Sequence, residues 1–238
     1  MMATGDEGGN QLSLNLPVPP EACRSVAERL PLPDAEVYFY RVFLTPAQSD
    51  VFLEDLLSYT PWKQERMKWY GKMVDLPRLS AWYGDPGKVY RYSGITAEPK
   101  PWNKTLSSIK SEIERVSHVR FNSALLNLYR DGHDKVSWHS DDEPELGHDP
   151  VIGSVSFGEA RVFRFKHRRN SSLRAEVQLS HGSYLLMRGG TQANWLHEIP
   201  RTTRPLKPRI NLTFRTIQSV SENNCMRLFA EDSSADSS

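Results

Sequence analysis

The stretch Arg209-Ile210-Asn211-Leu212-Thr213-Phe214-Arg215 alternates without a break between polar and apolar residues. Successive side chains of a β-strand point to opposite faces, so Ile210, Leu212 and Phe214 share one face and the polar residues the other. A half-buried strand is expected over 210–217. Arg209 and Arg215 are six residues apart, an even separation, so both can point into one barrel interior. Arginines are rarely buried unless paired, so an interior site for this face calls for an anionic partner. The alternative is a solvated row of two surface arginines.

Further β-branched and aromatic runs at 37–43, 151–157, 162–165, 175–179 and 183–187 have strand length and composition. Two helices are expected. Thr45-Pro46-Ala47-Gln48 has the form of a capping box with proline at the first helical position, opening a helix towards Leu57. Leu106, Ile109, Ile113 and Val116 line one stripe of a second helix over about 103–116. Two early helices followed by many short strands predict a mainly β (α+β) fold. The expected architecture is a double-stranded β-helix, or jelly roll, with the N-terminal helices packed on one sheet.

The 238 residues suffice for one domain with tails. Residues 1–34, rich in proline and glycine, are expected to form a disordered leader, 35–218 the folded domain, and 219–238 an acidic, serine-rich disordered tail. The 30 basic and 29 acidic residues nearly cancel, so only local clustering can indicate a charged partner. Cys23 and Cys225, both near the expected tails, form no disulfide framework. No signal peptide and no membrane-spanning apolar run is read, which predicts a soluble intracellular protein with no membrane partner.

His139-Ser140-Asp141, with His197 far downstream, supplies two imidazoles and a carboxylate. Such a set can hold one face of a ferrous ion and leave other positions open for a chelating cosubstrate and oxygen. On a strand, His139 and Asp141 at i and i+2 would share a face, and His197 would come from another strand or loop. His-x-Asp alone is a weak signal, because lone histidines are mostly surface or hydrogen-bonded core residues. The conjunction with the arginine strand strengthens it. Guanidinium forks bind carboxylates in bidentate fashion, so Arg209 and Arg215 suit a small dicarboxylate. Together these residues suggest an oxygenase using Fe(II), O2 and 2-oxoglutarate.

From about 37 to 216 the chain resembles the AlkB family of Fe(II)/2-oxoglutarate dioxygenases. The likeness is densest in Asn127-Leu128-Tyr129-Arg130, His139-Ser140-Asp141-Asp142-Glu143, Ser154-Val155-Ser156-Phe157-Gly158 and Arg209 to Arg215. It is similar to the DNA-repair branch. The resemblance implies that His139, Asp141 and His197 bind the metal, and that Arg209 with Asn127 and Tyr129 holds the distal carboxylate of 2-oxoglutarate. Thr213 would join that site and Arg215 would face the carboxylate beside the keto group. Asn127 and Tyr129 are equally compatible with plain inward strand residues.

The segment 68–94 interleaves aromatic with basic residues and lacks long apolar periodicity, as exposed loops and hairpins do. An enzyme acting on a base must take it out of the stack and hold it between flat side chains. The resemblance makes this segment a nucleotide-recognition lid. Trp69, Tyr70, Gly71 and Arg78 would probe the nucleic acid, with Tyr90, Arg91 and Tyr92 near the flipped base. Asp142 would accept from the exocyclic amine of the methylated base; otherwise it is a solvated acid. Trp62, Trp82 and Trp102 are read as core. Arg161, Arg164, Lys166, Arg168 and Arg169 form a basic run without an intervening acid. It provides either phosphate contacts or a solvated hairpin.

The function implied by the resemblance is direct-reversal repair. N-methyl groups of 1-methyladenine or 3-methylcytosine in alkylated DNA, single- or double-stranded, would be hydroxylated and lost as formaldehyde, while 2-oxoglutarate is decarboxylated to succinate. Ascorbate would serve as reductant, and the protein would act as a monomer in the nucleus, with the cytoplasm as a second location. The same chemistry on RNA, or an inactive nucleic-acid-binding module, are the alternatives.

Overall fold

The computed structural model describes residues 26–88, 90–92 and 95–218. Both expected helices are present. Helix α1 (Pro46–Tyr59) opens with the predicted capping box: Thr45 Oγ1 accepts from the Gln48 amide at 3.3 Å, and Gln48 Oε1 accepts from the Thr45 amide at 3.1 Å. Helix α2 (Lys104–Ser117) is capped by Asn103, whose Oδ1 accepts from the Leu106 amide at 2.8 Å, and it buries Leu106, Ile109 and Ile113.

The strands in chain order are β1 (Glu28–Arg29), β2 (Glu36–Tyr40), β3 (Lys63–Trp69), β4 (Lys72–Gly84), β5 (Tyr90–Tyr92), β6 (Ile95–Ala97) and β7 (Ser123–Tyr129). They continue with β8 (Val136–His139), β9 (Ile152–Gly158), β10 (Arg161–His167), β11 (Arg174–Leu179), β12 (Ser183–Arg188), β13 (Trp195–Ile199) and β14 (Arg209–Arg215). A one-turn helix, α3 (Thr191–Asn194), joins β12 to β13. Eight strands form a major sheet in the order β1-β2-β12-β9-β14-β7-β4-β3, and four form a minor sheet, β11-β10-β13-β8. Strands β5 and β6 pair as a separate ribbon.

Alternation divides the major sheet into two faces. On one, Phe157, Tyr184, Leu126, Leu212 and Phe214 pack with Phe52, Leu56, Leu106 and Ile109 of the helices. On the other, Val37, Phe39, Trp82, Leu125 and Met187 meet Phe163, Phe165, Trp195 and Ile199 of the minor sheet. The result is the expected jelly roll with helices on one sheet. Trp82 is buried between the sheets, and Trp62 and Trp102 pack against the helical core, as read.

The sequence expectation for the leader is corrected at its inner end. Strand β1 pairs with β2, and Leu30 and Leu32 are buried between the sheets. Interleaving with Pro31 and Pro33 makes these leucines look like linker composition, although an extended chain presents them to one face. The remainder of that expectation, 1–25, and the tail, 219–238, lie outside the described residues.

Strands β3 and β4 form a long hairpin whose two-residue loop, Tyr70-Gly71, has positive φ at both positions (43° and 80°). That is the mirror-image turn whose twist suits a hairpin. Its outer arm is exposed from Lys72 to Asp75, whereas from Leu79 onward β4 pairs with β7 inside the sheet. Between these halves the register shifts opposite Pro77, which has no amide hydrogen to give a ladder.

Candidate metal centre and cosubstrate pocket

His139 closes β8 and stands directly opposite His197 on β13, with ring centroids 4.3 Å apart. Phe163 of β10 stacks on the His197 ring at 5.1 Å. Asp141 reaches the same place from beyond the strand end, where its backbone amide donates to Gln192 Oε1 at 2.9 Å. The ligand atoms of His139, Asp141 and His197 lie within 4.8 Å of one another. The premise that His139 and Asp141 share a strand face is therefore corrected: α3, through Gln192, sets the position of Asp141.

The protonation states suit a cation. Burial pushes the His197 imidazole down to about 3, helped by His139 and opposed by Asp141. Burial also lowers His139, against the pull of Asp141. Both rings are neutral, as metal binding requires. His139 Nδ1 lies 2.8 Å from the Ser137 carbonyl, so Nδ1–H donates there and Nε2 carries the lone pair. Burial pushes the Asp141 carboxyl up, but Arg215, His197 and His139 outweigh it and hold the group at about 2, ionised. Arg215 Nη2 donates to Asp141 Oδ1.

A cavity between the sheets runs along this cluster. Its polar wall is Asn127 and Tyr129 of β7, Ser154 of β9 and Asn211, Thr213 and Arg215 of β14. Its apolar wall includes Leu125, Val136, Phe163, Met187 and Ile199. Behind Tyr129 and Asn211, Arg209 is 1% exposed. Its Nη2 donates to Ser156 Oγ at 2.9 Å and Asn211 Oδ1 at 3.0 Å, while Nε and Nη1 have no hydrogen-bond partner. Burial pulls its pKa down to about 10, which leaves it cationic at neutral pH. Buried donors are seldom left unmade, and a buried guanidinium with unused N–H groups calls for an anionic acceptor such as a carboxylate. The residues present fit both a ferrous ion and a dicarboxylate.

The structure thus brings together His139, Asp141, His197, Asn127, Tyr129, Arg209, Thr213 and Arg215. Sequence reasoning passed over Asn211, whose Nδ2 donates to Thr213 Oγ1 at 2.8 Å, and Ser154, Ser156 and Gln192. Asn211 was legible, since it sits between the two arginines on the same face.

On the nucleic-acid side, Tyr70 at the hairpin tip is 91% exposed, beside Gly71. The roles expected of the Trp69, Tyr90, Arg91 and Tyr92 side chains lie outside the described residues. Arg78 is corrected. It is buried, and its Nε donates to Asn127 Oδ1 at 2.8 Å instead of reaching out from a lid, because it shares the inward face of β4 with Ser80 and Trp82. Arg161 is corrected too. It lies on the inward face of β10 and is spent on the carbonyls of Asp131, Asp134 and Pro200 at 2.7–3.1 Å, so it meets no phosphate.

Of the rest of the basic run, Arg164, Arg168 and Arg169 are exposed and Lys166 is half-buried, and most are engaged. Arg164 pairs with Glu176 at 2.7 Å, an acid brought across from β11. Lys166 sits over the Trp138 ring at 4.6 Å. Arg168 donates to Asp142 Oδ2 at 2.6 Å and also bonds Ser140 Oγ, which places it beside the metal ligands rather than on a phosphate track. Arg169 is exposed.

Among the described residues no helix is long and apolar enough to cross a membrane. The 2OG-Fe(II) oxygenase superfamily matches residues 36–215. Human alpha-ketoglutarate-dependent dioxygenase alkB homolog 3 is 42% identical over 192 residues, covering 77% of this chain and 66% of that protein, just under two thirds of its length. The cattle DNA oxidative demethylase ALKBH2 is 39% identical over 188 residues, covering 75% of this chain and 68% of the relative. The solved structure of OsALKBH1 aligns with a TM-score of 0.51 at 18% identity over 76% of this chain and 97% of that one, a likeness of fold. The chain belongs to the 2OG-Fe(II) oxygenase superfamily and, within it, to the AlkB family.

Proposed function

We propose that this protein is an Fe(II)- and 2-oxoglutarate-dependent dioxygenase that removes N-methyl groups from bases of nucleic acid, with 1-methyladenine and 3-methylcytosine in DNA as substrates. One oxygen atom of O2 would enter succinate as 2-oxoglutarate loses CO2, and the other would convert N–CH3 to N–CH2OH, which releases formaldehyde and restores N–H. The observation that carries the reading is the juxtaposition of a buried His139–Asp141–His197 cluster with Arg209, a buried cation with two donors unused. Relatives named DNA oxidative demethylase support the substrate class and, with it, a nuclear site of action.

Iron, when bound, supplies oxygen activation at coordination positions the protein leaves open. His139, Asp141 and His197 would hold it on one side. Arg209 binds a carboxylate, and Arg215 keeps the Asp141 carboxylate ionised and fixed. Leu125, Phe163, Val136 and Ile199 exclude water around the reacting groups. Asp142, one residue past a ligand, offers an acceptor at the mouth, and the β3–β4 hairpin offers Tyr70 as a surface for a base.

The test is to supply purified protein, Fe(II), 2-oxoglutarate and ascorbate with methylated single-stranded DNA, duplex DNA and RNA in parallel. Succinate and formaldehyde in equal amounts with DNA are expected. No succinate with any substrate would leave a nucleic-acid-binding module, and turnover confined to RNA would move the substrate class.

A further inference from the structure

Resting on that reading, we infer that Arg78 is a positioning residue for the cosubstrate: it fixes which end of the Asn127 amide faces the cavity. Arg78 and Asn127 lie on neighbouring strands of the major sheet, where Ser80 stands opposite Asn127 and Arg78 is its diagonal neighbour. Both side chains point between the sheets and both are buried. Arg78 Nε is 2.8 Å from Asn127 Oδ1, and Arg78 Nη1 is 3.4 Å from the Lys135 carbonyl.

An arginine N–H donates and never accepts, so the Asn127 amide has one orientation beside it, oxygen towards Arg78. The Asn127 NH2 is then the end left for the cavity that Asn127 lines. A dianionic cosubstrate accepts hydrogen bonds and donates none. An asparagine free to flip would present its carbonyl half the time and repel a carboxylate. Arg78 removes that choice before the ligand arrives, a preorganisation that lowers the cost of binding. Arg78 shares the inward face of β4 with Ser80 and Trp82, two and four residues further on.

The test is calorimetric titration of the full-length protein loaded with Mn(II), which permits binding without turnover. Two probes are compared: 2-oxoglutarate, and oxalate, which has no carboxylate beyond the chelating end. Arg78→Met should raise the Kd for 2-oxoglutarate about tenfold, the scale of one mispaired buried hydrogen bond, and leave the Kd for oxalate within about twofold. Arg78→Lys, which keeps a donor for Oδ1, should recover most of the loss. In an Asn127→Leu background Arg78→Met should cost nothing further. Asn127→Asp keeps the acceptor for Arg78 but replaces the NH2, and it should weaken 2-oxoglutarate at least as much as Asn127→Leu. This arm decides the matter should Arg78→Met fail to fold. Equal weakening of both probes, an undiminished effect in the Asn127→Leu background, or unchanged binding by Asn127→Asp would each overturn the inference. Failure of the unsubstituted protein to bind 2-oxoglutarate at all would instead overturn the functional reading.

Discussion

His139 and His197 are cross-strand partners in the antiparallel pair β8–β13, and the register of that pair shifts immediately beyond them. Two imidazoles of the candidate metal centre are therefore spaced by strand pairing, while the third ligand, Asp141, is spaced by Gln192 and Arg215. The three ligands should respond differently to loss.

Replacing His139, Asp141 or His197 by alanine should in each case abolish metal-dependent turnover. Asp141→Ala should also destabilise the metal-free protein, since it leaves Arg215 buried without its carboxylate. Losing one partner of a buried pair costs about 3–5 kcal/mol. Chemical denaturation of the three variants without metal measures this. Equal stability of Asp141→Ala and His139→Ala would show that the Arg215–Asp141 pair adds nothing to the stability of the metal-free protein.

Arg209→Ala should weaken 2-oxoglutarate binding by about 2–5 kcal/mol, the cost of truncating one member of a buried charge pair. Arg209→Lys should also be impaired, because an ammonium cannot hold Ser156 and Asn211 through one nitrogen while offering further N–H donors in the same plane. The Kd for 2-oxoglutarate reads both effects, and unchanged values in both would place Arg209 outside the site.

The basic run separates into structural and surface members. Arg161→Ala should lower thermal stability, because three buried carbonyls lose their donor. Neutralising Arg169 should leave stability alone and reduce the slope of log binding constant against log salt by about 0.9 if it meets one phosphate. A stable Arg161→Ala variant with a flattened salt slope would reverse this division.

At the hairpin tip, Tyr70→Ala should leave the melting temperature unchanged, since the ring is 91% exposed, and slow turnover on duplex substrates. Gly71→Ala meets no atom within 4 Å, but its φ of +80° should cost about 1 kcal/mol. Thermal melts and demethylation rates on duplex DNA distinguish the two. A large melting shift in Tyr70→Ala would mean that its ring is packed.

Local signals were readable from the sequence. The Thr45–Gln48 box, the apolar stripe of α2 and the alternation of β14 depend on neighbours within a few residues and stand in the structure. Strand β14 is buried on both faces rather than half-buried, because the minor sheet covers its polar side. Pairings between distant segments were not readable. Arg168 meets Asp142 across 26 residues and Arg164 meets Glu176 across a hairpin, so a run that looked free of acids has two of its five charges paired. Arg161 and Arg164 differ in fate because they lie on opposite faces of β10, a consequence of register that the basic composition obscured. Asp141 joins the cluster from beyond the end of β8, and Arg78, read into a lid by resemblance, shares the inward face of β4 with Ser80 and Trp82.

The alternation of β14 also governs how the chain can assemble. Strand β14, paired with β7 over seven positions, presents Ile210, Leu212 and Phe214 to the helices and its polar side chains to the barrel interior. A slip of one residue would drive Arg209 and Arg215 under helices α1 and α2 and move Ile210, Leu212 and Phe214 to the polar side. Two uncompensated guanidinium charges in the apolar layer would cost several kcal/mol each, far more than a misplaced ladder could recover. The two arginines thereby penalise a slipped pairing of β14, so the polar face that lines the cavity also fixes the alignment of the strand.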